Sequence, residues 1–216
     1  MKRRQAGFSF IEILVVMGII SVLVSMVVVL VPFIQERGKR TKSADNVRTL
    51  GLYFVGADVG TARAWPKYNG KNFVLWLVAA NKIDRRDEKQ LQILFSPGDA
   101  DLQFPGKKEY ESITLESLKN SNPEYLTLTS YAGRRNAERE HVLDSSEQSK
   151  GAPIMCDDDS GSLHHKDGLV IGYVGGSSKF MEWADLGIPP PEVKTPEGIL
   201  GDNSPNEDLK HLSSGN

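Results

Sequence analysis

At 216 residues, with a formal charge of −2 and 39% hydrophobic residues, the chain is sized for one modest domain plus accessory segments rather than for two full domains. Acids and bases nearly balance. The only basic cluster, Arg37, Lys39, Arg40 and Lys42, directly follows an apolar run, a position that suits lipid headgroups and gives no nucleic-acid footprint. Cys156 is the single cysteine, so no intrachain disulfide and no C-x-x-C motif exists, and cysteine usage points to neither a reducing nor an oxidising compartment.

From Ile13 to Ile34 the chain has 22 residues without a charge. As a helix rising about 1.5 Å per residue this run reaches about 33 Å, enough for a hydrocarbon core of about 30 Å. It is too long for the apolar region of an ordinary cleaved signal peptide, about 7 to 15 residues. Glu12 stands at its start, where a neutral residue would enter a membrane more easily; in a plain monomeric anchor it would only snorkel toward water. In the first helical turn it gains a little from the positive end of the helix dipole. Gly18, Ser21 and Ser25 form a stripe of small residues that permits close approach of another helix. Pro32 predicts a kink or loosening between Val28 and Pro32.

The segment Gly7-Phe8-Ser9-Phe10-Ile11-Glu12-Ile13-Leu14-Val15-Val16 resembles the type III signal of type IV prepilins and type II secretion pseudopilins. The resemblance implies that prepilin peptidase cuts between Gly7 and Phe8 and methylates the new amine, leaving Glu12 as fifth residue of the mature chain. Loss of Lys2, Arg3 and Arg4 with the leader would take the formal charge from −2 to −5. In a filament, Glu12 would pair with the Phe8 amine of a neighbouring subunit, neutralising two charges in a low-dielectric core and fixing the axial register. Basic residues flank the apolar run on both sides, so the orientation, N-terminus in the cytoplasm and globular part in the periplasm, rests on the resemblance and not on charge bias.

Past the basic cluster, Val47, Leu50, Gly51 and Phe54 recur at helical spacing and extend the stem as an amphipathic helix to about Val55. Gly56, Gly60 and Ala64-Trp65-Pro66 then open a loop. Residues 73–80 read as a short buried helix and Leu91–Phe95 as a strand stopped by Ser96-Pro97-Gly98-Asp99, while 100–150 is polar and loop-rich. Pro153–Cys156 is a candidate strand. Leu169–Val174 pairs with Ser178–Trp183 across a Gly175-Gly176 turn. The expected fold is α+β and pilin-like, a long N-terminal helix laid on a small antiparallel sheet so that both bury their apolar faces. Its parts are a leader at 1–7, a transmembrane and assembly helix at 8–34, a globular domain at 35–188, and a mobile tail at 189–216 that is rich in Pro, Gly, Ser, Asn and Asp.

A second resemblance, to bacterial pseudopilin-like proteins with a His, nine residues and Asp-Gly in a terminal hairpin, is carried by His165 and Gly175-Gly176, with glycine in place of the aspartate. Ser96-Pro97-Gly98-Asp99 and Ser130-Tyr131-Ala132 are similar to landmarks of the same proteins. Asp157, Asp158 and Asp159, followed by His164, His165 and Asp167, form the one dense cluster of potential ligands. Carboxylates on a turn suit calcium, which major pseudopilins hold in a C-terminal loop, but the spacing matches no EF-hand. A calcium site at Asp157, Asp158 and Asp159 and a solvated acidic turn both stay open. Adjacent His164 and His165 would face opposite ways on a strand, against zinc. No G-x-S-x-G elbow, Walker loop or H-E-x-x-H is present. The resemblance therefore implies a filament subunit and not an enzyme, with prepilin peptidase, copies of itself and other pilins, the inner-membrane assembly platform and the bilayer as partners. A minor pilin with a binding role, and a membrane-anchored periplasmic metal-binding or hydrolytic domain, are the alternatives.

Overall fold

The computed structural model describes residues 8–57, 66–99, 101–120, 122–135, 151–157, 164–190 and 199–213. Two compact units divide the chain at Gly38 and Lys39, and helix α1, Phe10–Ala57, contributes to both. In the first unit every residue from Phe8 to Ile34 is exposed. A helix is the form such a run takes because it satisfies its backbone polar groups internally, as an apolar solvent demands. Ser21 and Ser25 obey the same demand, donating to the carbonyls of Met17 and Ser21 at 2.8 and 2.7 Å. Helical assignment runs through Pro32 without a gap, so the proline removes one backbone hydrogen bond without ending the helix.

The second unit is built on a five-stranded antiparallel sheet ordered β4-β3-β2-β1-β5. The strands are β1 Tyr131–Arg134, β2 Pro153–Asp157, β3 Gly168–Tyr173, β4 Ser177–Glu182 and β5 Leu212–Ser213. The expected hairpin is present, with Gly168 opposite Glu182 and Tyr173 opposite Ser177. Alternate residues serve two cores. Tyr131, Met155 and Val170 join Val47, Leu50 and Phe54 of α1 and the buried helix α2, Gly70–Ala79. Ala132, Cys156, Leu169 and Ile171 face a second cluster with Trp183, Leu186, Ile199, Leu209 and Leu212. Burial on both faces explains why β2 and β3 read as continuous apolar runs.

Three features differ from the sequence expectation. Leu91–Phe95 is not a strand: α3, Glu88–Gln92, occupies its start, with Asp87 accepting the Lys89 amide at 3.0 Å as an N-cap. Leu91 and Leu94 are buried at helical spacing. The 100–150 region is irregular where described, with 3-10 turns at Lys107–Tyr110, Ser117–Lys119 and Pro123–Thr127, yet it also supplies β1 in the interior of the sheet. Residues 199–213, expected within a mobile tail, form helix α4, Glu207–Lys210, and β5, which pairs with β1. Three apolar side chains there, Ile199, Leu209 and Leu212, seal the second face. The Tyr173 hydroxyl donates to Asp208 at 2.8 Å, and Arg135 meets Asp202 at 2.9 Å.

The stem meets the hairpin backbone to backbone. A Cβ added to Gly51 would lie 3.0 Å from Gly176 Cα, and one added to Gly176, itself at φ +76°, would lie 2.6 Å from Leu52 Cδ2. Gly56, further along the helix, has no such neighbour among the described residues. Gly51→Val is expected to destabilise the domain by about 1–3 kcal/mol through overpacking, whereas Gly56→Val changes it far less. Thermal melts of the two detergent-solubilised variants test this, since both carry the same change in helix propensity.

Candidate functional site

Two places carry the residues singled out in the sequence. The first is the start of α1. Glu12 stands in its first turn, and its Oε2 accepts the Ser9 backbone N–H at 2.7 Å while its own N–H donates to the Ser9 carbonyl at 3.0 Å. This is the glutamate half of a capping box, Ser-x-x-Glu, which satisfies an amide that the helix leaves without a partner. Phe8 is exposed beside it. Gly7 lies outside the described residues, as does the rest of the 1–7 leader.

The second place is a buried polar knot where α1, the Ser96–Asp99 turn, the end of β2 and the 164–165 bend converge. Asp157 ends β2 with its carboxylate turned inward and accepts the Val170 N–H at 3.0 Å. His165 Nε2 lies 3.4 Å from Asp157 Oδ2 and 3.1 Å from Ser43 Oγ, and Ser43 is 2.7 Å from Ser96 Oγ. His164 stands between two carboxylates, Nε2 at 3.2 Å from Asp99 and Nδ1 at 3.6 Å from Asp157. Asn46, one turn on from Ser43, donates to the Phe95 carbonyl at 3.0 Å. Gly98 keeps the turn against the bend, since a Cβ there would fall 2.0 Å from the His164 carbonyl oxygen. Around the rim Arg40 pairs with Asp167 and lies 4.6 Å over the Phe180 ring, whose edge meets His165.

Burial alone would raise the Asp157 carboxyl, but its bonds and charge interactions with His164 and His165 outweigh that and hold it well below the usual carboxylate range. Asp99 is likewise pushed up by burial and pulled down further by His164, to about 2. Burial, then the nearby Asp157 charge, pushes the Tyr131 hydroxyl well above its usual value. The two histidines both reach Asp157 because they sit in a bend, not on a strand that would send them to opposite faces. This is not a Ser-His-Asp triad. Its base would use one ring nitrogen for serine and the other for aspartate, whereas His165 faces Ser43 and Asp157 through the same Nε2, all three buried.

Of the acidic run, Asp157 is committed to this knot, and Asp158 and Asp159 lie outside the described residues. Among the described residues no group of three His, Cys, Asp or Glu has a metal-holding arrangement. Sequence reasoning missed Ser43 and Asn46, whose signal was available: two small polar residues on the helix face that also carries Val47 and Leu50. It noted the Ser96–Asp99 and Ser130–Ala132 landmarks without joining them, and the fold brings both to His164 and Asp157.

A carboxyl depressed in the folded chain adds stability that is complete above its unfolded value, about 4, and is lost as pH falls through its folded value. Denaturant unfolding followed by tryptophan fluorescence is expected to show stability falling between pH 4 and pH 2, with the slope reduced in Asp99→Asn. Asp157→Ala, which leaves buried His165 without a carboxylate and His164 with Asp99 alone, is expected to cost about 3–5 kcal/mol at neutral pH.

Comparison with known proteins bears on the first place. Residues 2–28 match the family model of the prokaryotic N-terminal methylation motif. No curated protein and no solved structure matches the chain. The matched segment contains Gly7, Phe8 and Glu12 and leads into a helix long and apolar enough to cross a membrane. The chain therefore carries a type IV prepilin-like signal at the head of a pilin-like α+β fold.

Proposed function

We propose that the protein is a structural subunit of a type II secretion pseudopilus or type IV pilus-like filament. It is inserted in the inner membrane with its globular domain in the periplasm, cut by prepilin peptidase between Gly7 and Phe8, and drawn into a filament held by packing of its stem. The methylation motif at 2–28 carries this reading. The stem supports it: an apolar helix surface exposed from Phe10 to Ile34 needs lipid before assembly and neighbouring stems after it. Glu12 then exchanges the Ser9 amide, an uncharged partner, for the methylated Phe8 amine of a neighbour, a charge pair that gains strength as water is excluded.

Intact-mass analysis of the protein from cells with and without prepilin peptidase tests the processing step. The expected product begins at methylated Phe8 only when the peptidase is present, and an uncleaved chain in both strains would sink the assignment. Glu12→Ala is expected to leave cleavage intact and to abolish filaments seen by electron microscopy. Normal filaments from that variant would count against the pairing.

A further inference from the structure

The basic cluster beyond the apolar run divides in the folded chain. Arg40 is taken up by Asp167 and Phe180, and the Arg37 guanidinium lies 4.4 Å over Phe33. Lys39 and Lys42 remain exposed, three residues apart and hence neighbours on one helix face, and neither is paired with a described residue. Lys42 lines a cleft of about 340 Å³ together with Asn46, Phe95, Ser96 and two residues of α3, Lys89 and Gln92. Lys89 is also exposed and unpaired among the described residues. No carboxylate is among the cleft's described lining. The adjacent Glu88 is engaged by the Gln92 side chain at 3.2 Å, and Asp87 by the Lys89 backbone amide.

We propose that this cleft seats the phosphate of an anionic phospholipid headgroup, held by the ammonium groups of Lys42 and Lys89 with Lys39 alongside. Two lysines lining one cleft with no carboxylate among its described lining call for an anion. Lys42 follows Ile34, the last residue of the uncharged run, by only eight positions in the sequence, and a long lysine side chain reaches along apolar surface toward the interface. A lipid phosphate is presented there at high local concentration, which an open site with two cations needs and a dissolved anion lacks. This assignment rests on the reading of Ile13–Ile34 as a membrane span.

The test uses the full chain in nanodiscs of phosphatidylcholine and phosphatidylglycerol, with the lipid retained after detergent extraction measured by native mass spectrometry. Phosphatidylglycerol is expected to be retained over phosphatidylcholine. Lys42→Gln and Lys89→Gln are each expected to lower that retention about fivefold, the effect of one lysine near an anionic surface. The double charge reversal Lys42→Glu with Lys89→Glu is expected to lower it more than tenfold, with Lys107→Glu unchanged. Equal retention of both lipids, parent-like retention by the glutamine variants, or displacement of phosphatidylglycerol by inorganic phosphate would overturn the headgroup assignment. A chain that enters nanodiscs of neither composition would overturn the membrane span itself, and this proposal with it.

Discussion

A carboxylate removed from water is tolerated only when its charge is answered locally, and that constraint on Asp157 organises one end of the globular unit. Isolated, the group would cost several kcal/mol. It is answered by a backbone amide of the neighbouring strand and by two histidines from the bend before that strand. Those histidines in turn require Asp99 and Ser43. Because each partner comes from a different stretch of chain, satisfying one charge sets the positions of the Ser96–Asp99 turn, the end of β2, the 164–165 bend and the face of α1 that carries Ser43. Apolar burial of Val47, Leu50 and Phe54 supplies attraction without direction. The knot supplies the register that burial leaves open.

Helix α1 answers to two different solvents. Its first half has no protein cover among the described residues and meets the need for internal hydrogen bonding everywhere but at Pro32, down to the two serine hydroxyls bonded back to their own helix. From Lys39 onward the same helix is an ordinary amphipathic element with one buried stripe. The change of regime falls in the basic cluster, where guanidinium groups are used for specific contacts and lysines are left facing outward. This division follows the chemistry of the two side chains: a planar, weakly hydrated guanidinium stacks on aromatic rings and grips carboxylates, while an ammonium stays hydrated.

Much of the architecture was legible because its signals are periodic or local. The uncharged run, the stripe at Val47, Leu50, Gly51 and Phe54, and the Gly175-Gly176 turn each point to one structure. What escaped depends on partners distant in sequence. Leu91–Phe95 is apolar enough for a strand, and only the Asp87 cap and the spacing of Leu91 and Leu94 decide for helix. Tyr131–Arg134 gives too short a pattern to announce an interior strand. The residues after 198 look unable to order themselves because their composition is averaged over many polar positions, whereas three apolar side chains suffice when a preformed sheet face awaits them. The knot was half visible, since its turns and histidines stood out as motifs while the carboxylate that unites them read as part of an acidic run, either a calcium site or a solvated turn.

The placement of β5 has a consequence for synthesis. This strand borders β1, and with α4 it covers the apolar face formed by Ala132, Cys156, Leu169 and Ile171. A nascent chain that has already delivered β1 to β4 covers that face only in part, with Trp183, Leu186 and Ile188, until Ile199, Leu209 and Leu212 emerge. Completion of this second core therefore waits for the segment that carries Leu209 and Leu212. A product truncated before residue 199 would keep Trp183, Leu186 and Ile188 but lose Ile199, Leu209 and Leu212 from that cluster, leaving a partly uncovered apolar sheet, the kind of surface that proteases and chaperones read as unfinished.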